Sequence, residues 1–152
     1  MTMNVSIQIN RDNIATTMET LLWKYGSAIE GAENFKQVYN TQSDRTNNTL
    51  DARIVNDSWE TRTQEAIDLL RDFSPTVTSG TGTKTIAMTM SNRWLGSEET
   101  LKAALERYIV DGMMYDWLNA TAPNEAPQYS SRIPNDEKKI KDNIYSLGKP
   151  TV

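Results

Sequence analysis

The sequence predicts a mainly α-helical fold, a three-to-four-helix bundle with one β-hairpin inserted between helices two and three. Two observations carry that expectation. Apolar residues recur at steps of three and four over three long stretches, the spacing that lines up one helix face. Between Pro75 and Ser91 the period changes to two, the signature of a strand with one apolar face. With 152 residues and 17.2 kDa there is room for one buried core, so residues 1–152 are read as a single domain.

Ile14, Met18, Leu21, Leu22 and Tyr25 place the first helix at about Asp12 to Ser27. Asn10 or Asp12 can cap it, because a short side-chain acceptor satisfies amide donors of the first turn; Gly26 and Gly31 lie where it should stop. Residues 31–49 are rich in Asn, Thr, Gln, Ser and Asp, with Phe35, Val38 and Tyr39 as the only anchors, and read as a loop. Val55, Trp59, Ala66, Leu69, Leu70 and Phe73 return to helical spacing. Asp57 followed by Glu60 resembles an acidic capping box, and Pro75 disfavours helical geometry in Ser74, so the second helix should end at Phe73.

In the hairpin, Ile86, Met88 and Met90 alternate with Thr85, Ala87 and Thr89, while Thr76, Val77 and Thr78 lie across a turn containing Gly80 and Gly82. Two such short strands are marginal in water, so the apolar face needs a cover, from the helices or from another copy. Lys84, Ile86, Met88, Met90 and Trp94 are on this basis the candidate subunit interface. Ser97 ahead of Glu98 and Glu99 combines a capping hydroxyl with carboxylates at the positive end of a helix dipole. Leu101, Leu105, Tyr108, Ile109, Met113 and Leu118 then carry the third helix to about Asn119. Ala126, Tyr129, Ile133, Ile140, Ile144 and Leu147 continue the pattern in a fourth helix, which Pro134 should break, with Asn135 restarting it and Gly148 and Pro150 ending it; residues 148–152 form a C-terminal tail.

Composition excludes much. There is no cysteine and no histidine, which removes disulfides, thiol nucleophiles, thiolate metal sites and the commonest general base. Hydrophobic residues make up 38% and charged residues 24%, and no apolar run approaches the roughly 18 residues of a membrane helix. Met1 to Asn10 lacks a basic region followed by an apolar one, so no secretory signal is expected, and sequon matches at Asn4, Asn47, Asn56 and Asn119 are read as chance. The net charge of -4 has the wrong sign for a protein whose main work is gripping phosphates. The charge is unevenly spread: residues 74–95 hold only Lys84 and Arg93, residues 96–126 six acids and two bases, and residues 127–152 five bases and three acids.

No chemistry-bearing motif is complete. Ser79 to Thr85 is glycine-rich and ends in Lys84 and Thr85, but Thr83 stands where a phosphate loop needs glycine, and a strand pattern follows instead of a helix. Glu98 and Glu99 read as dipole partners, and Asp111 and Asp116 are five apart and not on one face. Neither cluster offers enough oxygen ligands for a metal. Trp23, Trp59, Trp94 and Trp117 could stack on single-stranded nucleic acid, yet no basic groove accompanies them and core or subunit packing explains them better. Met88, Met90, Met113 and Met114 read as adaptable packing. The expectation is a protein that is not an enzyme, with no catalytic, cofactor-binding or metal residues.

The order of elements carries a resemblance. A helix pair, a short hairpin, Asn92, Arg93 and Trp94 before an acidic helix start, Tyr108 to Trp117 with Leu118, a proline-bearing link, Tyr129, and a last helix running to Gly148, Lys149 and Pro150 resemble the head-to-tail connector (adaptor) proteins of tailed-phage necks, as encoded by phages and prophages of Bacteroides-type bacteria. The similarity spans roughly residues 50–152. It implies a virion structural protein forming a homo-oligomeric ring, a dodecamer, in the neck between portal and tail. Its partners would be the portal protein, tail or neck proteins, and DNA passing through the channel without sequence-specific binding; no membrane is involved. The expected location is the virion neck or tail region, and the host cytoplasm during assembly. Alternatives are a tail-completion or other neck or tail ring protein, and a small helical binding module that regulates a host protein.

Overall fold

The computed structural model describes residues 2–28, 50–121 and 123–148; the loop expected at residues 31–49 and the tail beyond Gly148 lie outside the described residues. The elements in chain order are β1 (Thr2–Asn10), α1 (Arg11–Ala28), α2 (Leu50–Asp68), a 3₁₀ turn (Arg71–Phe73), β2 (Thr76–Gly80), β3 (Thr83–Ser91), α3 (Glu98–Thr121), the single-turn α4 (Pro127–Ser130) and α5 (Ile133–Ile144).

The fold is α+β, which corrects the expected helical bundle with one inserted hairpin. The hairpin is there, but it is two thirds of a three-stranded antiparallel sheet of order β1-β3-β2. Its third member is the first segment of the chain, where Val5, Ile7 and Ile9 alternate with Asn4, Ser6 and Gln8. The physical reason is the one that makes an isolated hairpin marginal: β1 pairs with β3 along its whole length, and β2 flanks it on the other side over Thr83–Ala87. Register places Val5 opposite Met88, Ile7 opposite Ile86 and Ile9 opposite Lys84. The period-2 pleat therefore gathers Val5, Ile7, Ile9, Ile86, Met88 and Met90 on one buried face.

The helices pack on that face, and α3 is the central one. It contacts β1, α1, α2, α4 and α5. Its ends show the usual amphipathic pattern, with Leu101 and Leu105 buried beside exposed Glu99 and Ala103, but from Tyr108 to Met114 every residue is buried. A helix apolar or buried all round lies in a core and not on its rim. Together with Ile14 and Met18 of α1, Val55, Trp59 and Ile67 of α2, and Ile140 and Ile144 of α5, these side chains form one continuous core with the sheet.

Helix boundaries follow local chemistry. Asn10 caps α1, its side-chain Oδ1 accepting from the Asp12 amide at 2.8 Å. Ser97 Oγ accepts from the Thr100 amide at 3.1 Å at the start of α3. Asp57 is interior to α2, which begins at Leu50, so the expected acidic capping box does not start this helix. Helix α2 stops at Asp68; the 3₁₀ turn carries the chain to Phe73, and Ser74 takes a left-handed φ of 49° to reverse into β2. The break expected at Pro134 falls just before it. Ser131 and Arg132 separate α4 from α5, and Pro134 occupies the first turn of α5, where its missing amide proton costs nothing. Helix α5 ends at Ile144 and not at Gly148. The following residues instead turn back onto the segment after β3: Leu95 N donates to Ser146 O at 2.9 Å, and Gly148 N to Arg93 O at 2.6 Å.

Candidate functional site

The residues proposed from sequence as a subunit interface occupy the core-facing side of β3 and the loop after it. Ile86, Met88, Met90 and Trp94 are buried within the chain. Trp94 Nε1 donates to Asn143 O at 2.8 Å, fastening that loop to α5. Lys84 lies in the same row and pairs with Glu60 of α2 at 3.0 Å. The cover that the hairpin needs is thus supplied by β1 and the helices, and the surface these strands offer a second copy is their other face.

That other face is uncharged. On β1 it carries Asn4, Ser6 and Gln8, on β3 Thr85, Ala87 and Thr89, and on β2 Thr76 and Thr78, following the register of the two pairings. In a chain with 24% charged residues, the outward positions of all three strands hold none. An antiparallel sheet turned to water on one side ordinarily places charged groups there, both for solubility and to keep copies apart. The two edges differ. At β1, Ser6 N donates to Glu98 Oε1 at 3.2 Å, so an acidic side chain at the start of α3 guards that edge. All five residues of β2 are exposed, none is charged, and none is proline.

A second cluster lies on the buried turn of α3. Asp111 and Asp136, from α3 and the first turn of α5, are 1% and 4% exposed. Burial pushes the Asp111 carboxyl up to about 7, and its hydrogen bond with Asp136 adds to this, while Arg132 and Arg107 pull it down. Among the described residues, Oδ2 of each acid finds no donor outside the pair. Two carboxylate oxygens left over in one buried pair are what a proton held between them would occupy. Arg132 Nη1 stands 4.0 Å from Asp111 Oδ1, and its guanidinium lies over the Tyr129 ring at 4.7 Å. Thr17, Leu21, Arg107, Val110, Asp111 and Arg132 border a cavity of about 380 Å³. Chemically the pair can store a proton; two acids are too few ligands for a metal, and among the described residues no group of three or more potential ligands converges.

A third cluster ties α2 to α3. Arg62 grips Asp116 through two hydrogen bonds, Nε to Oδ2 at 2.9 Å and Nη2 to Oδ1 at 2.7 Å, and Ser58 Oγ donates to Oδ2 at 2.6 Å. Asp116 raises the Arg62 pKa, holding the guanidinium charged. Gly112 makes room for this arm: a Cβ there would meet Arg62 Cδ at 2.6 Å. These partners satisfy one another, the arrangement of a fastening, at the wall of a surface pocket of about 410 Å³ that Asp57, Thr61 and Glu65 also line.

Glu98 and Glu99 sit in the first turn of α3, as dipole partners should. Asp111 and Asp116 do not meet each other; each has its own partner. Trp59, Trp94 and Trp117 are buried, so none offers a stacking platform. Sequence reasoning missed β1 and the Asp111–Asp136 pair. The alternation of residues 4–9 could have revealed the first, whereas nothing local reveals the second. Among the described residues no helix is long and apolar enough to cross a membrane. Comparison with protein-family models, curated proteins and solved structures finds no match for this chain.

Proposed function

We propose that this chain is a structural subunit of a tailed-phage neck, a head-to-tail connector that assembles as a ring between portal and tail and leaves a passage for DNA. The observation that carries the proposal is the uncharged outer face of the sheet, set on a chain whose helical side is acidic. A subunit that works by assembly needs a surface on which copies or partners approach without like-charge contact, and a ring needs two chemically different surfaces to meet head to tail. The sheet and the helical layer are two such surfaces. The net charge of -4 suits a conduit, because DNA phosphates find few cations to replace their counterions and so slide without sticking.

The two polar clusters fit this reading better than an enzymatic one. Arg62, Asp116 and Ser58 satisfy one another, and Asp111 and Asp136 are buried with no third potential ligand converging on them among the described residues. A tail-completion or other neck ring protein would use the same surfaces. The test is the mass of the purified full chain by light scattering, alone and mixed with a tailed-phage portal protein. A ring-sized species, or a stable complex with portal, is the expected result. A species that stays monomeric in both samples would overturn the proposal, and a one-to-one complex with a soluble host protein would favour the binding-module alternative.

A further inference from the structure

We propose that β2 pairs antiparallel with β2 of a second copy, joining two three-stranded sheets into one continuous six-stranded sheet about a two-fold axis. The inference goes beyond the neck reading and holds whatever larger assembly the chain enters.

The two-residue turn closed by Gly80 and Thr83 sets the phase of the hairpin. Backbone groups of an antiparallel strand alternate sides, so Gly80, Thr78 and Thr76 bond to β3, while Val77 and Ser79 turn their N–H and C=O toward the open edge. Among the described residues neither backbone finds a partner there. An unpaired edge of this kind is a template for another strand, and proteins that must stay apart block it with lysine, proline or a covering side chain. β1 is blocked by Glu98, and among the described residues nothing blocks β2.

The occupant follows from the same comparison. A strand that docks on β2 must itself have a free edge; among the described strands β3 is central, β1 is guarded, and β2 of a second copy is open. Charge points the same way. Each copy carries -4, so most surfaces of two copies repel, but β2 has no charge and Lys84, the one charged residue of β3, is paired with Glu60. Pairing about Thr78 also keeps the two faces in register. Val77 of one copy then lies opposite Ser79 of the other in a hydrogen-bonded pair, and Thr78 lies opposite its own equivalent on the uncharged face. Five residues give about four backbone hydrogen bonds across the axis, a small contact with a dissociation constant of roughly 10 µM to 1 mM.

The experiment is sedimentation velocity on the full chain from about 5 µM to about 1 mM, with T78K, T78E, their equimolar mixture and V77P, each checked for folding by circular dichroism and thermal melting. Wild type should dimerise with concentration. T78K and T78E should each associate at least about tenfold more weakly, because like charges would face each other across the axis, and the mixture should recover pairing. V77P removes only an outward donor, so it should stay folded and lose pairing. Wild type that remains monomeric at about 1 mM, or T78K and V77P that dimerise like wild type, would overturn the inference. Pairing without rings supports the β2 contact and removes the neck reading alone; rings that survive in T78K while pairing is lost support both.

Discussion

Asp111→Asn tests the reading of the buried acid pair. Burial and Asp136 lift the Asp111 carboxyl from 3.8 to about 7 in the folded chain, so between those values the folded state holds a proton that the unfolded state has released. Stability then falls as pH rises from about 4 to about 7 and levels off above, the reverse of the usual salt-bridged carboxylate. At about 1.4 kcal/mol per pH unit the full shift corresponds to roughly 4 kcal/mol, and local relaxation with Arg132 and Arg107 nearby reduces this to about 2 kcal/mol. Asparagine keeps a neutral hydrogen-bond donor toward Asp136 and cannot ionise. The variant should match wild type near pH 5 within about 1 kcal/mol, exceed it by about 2 kcal/mol at pH 8, and melt there roughly 4–8 °C higher. Urea unfolding at half-unit pH steps measures both slopes. A variant that is less stable than wild type at pH 8, or that keeps the wild-type slope between pH 5 and pH 7, would refute the shared-proton reading.

Leu105 is fully buried on α3, so Leu105→Ala should cost roughly 2–5 kcal/mol in urea unfolding, and a loss below about 0.5 kcal/mol would mean that this face is not core. Ile7→Ala should cost a similar amount, which checks that β1 belongs to the sheet. Gly112→Ala would ordinarily gain about 1 kcal/mol of helix propensity, but here the new methyl meets the Arg62 side chain, so a net loss of about 1 kcal/mol is expected by thermal melting. Met88→Asp places an unpaired charge at a position 5% exposed and should unfold the monomer, with loss of the circular dichroism signal, rather than yield a folded chain that fails to assemble.

Helical spacing marks α1 and α3 close to their observed bounds, whereas the last helix, expected to run to Gly148, ends at Ile144. The hairpin is legible from its own alternation. What escaped were features made by contacts between distant segments. β1 has the same alternation as β3, yet its partner lies far along the chain, and a search for a leader sequence over Met1 to Asn10 says nothing about pairing. The stripe of α3 does not show that Tyr108 to Met114 is buried on every side, and local spacing sets Asp111 only against Asp116 on its own helix. Its true partner comes from α5, and neither acid looks unusual in its own neighbourhood. The need for a cover over Ile86, Met88 and Met90 was read correctly; periodicity alone could not say that β1 and the helices supply it. Pro134 shows the complement: its chemistry forced a break nearby, but a proline is welcome in a first turn, so the helix begins before it.

The neck proposal is tested most directly by electron microscopy of the full chain mixed with its cognate portal. Rings of one size seated coaxially on the portal, with a central opening wide enough for duplex DNA, are the expected result. Portal particles with no added density, beside a chain that shows no closed assembly of its own, would contradict it.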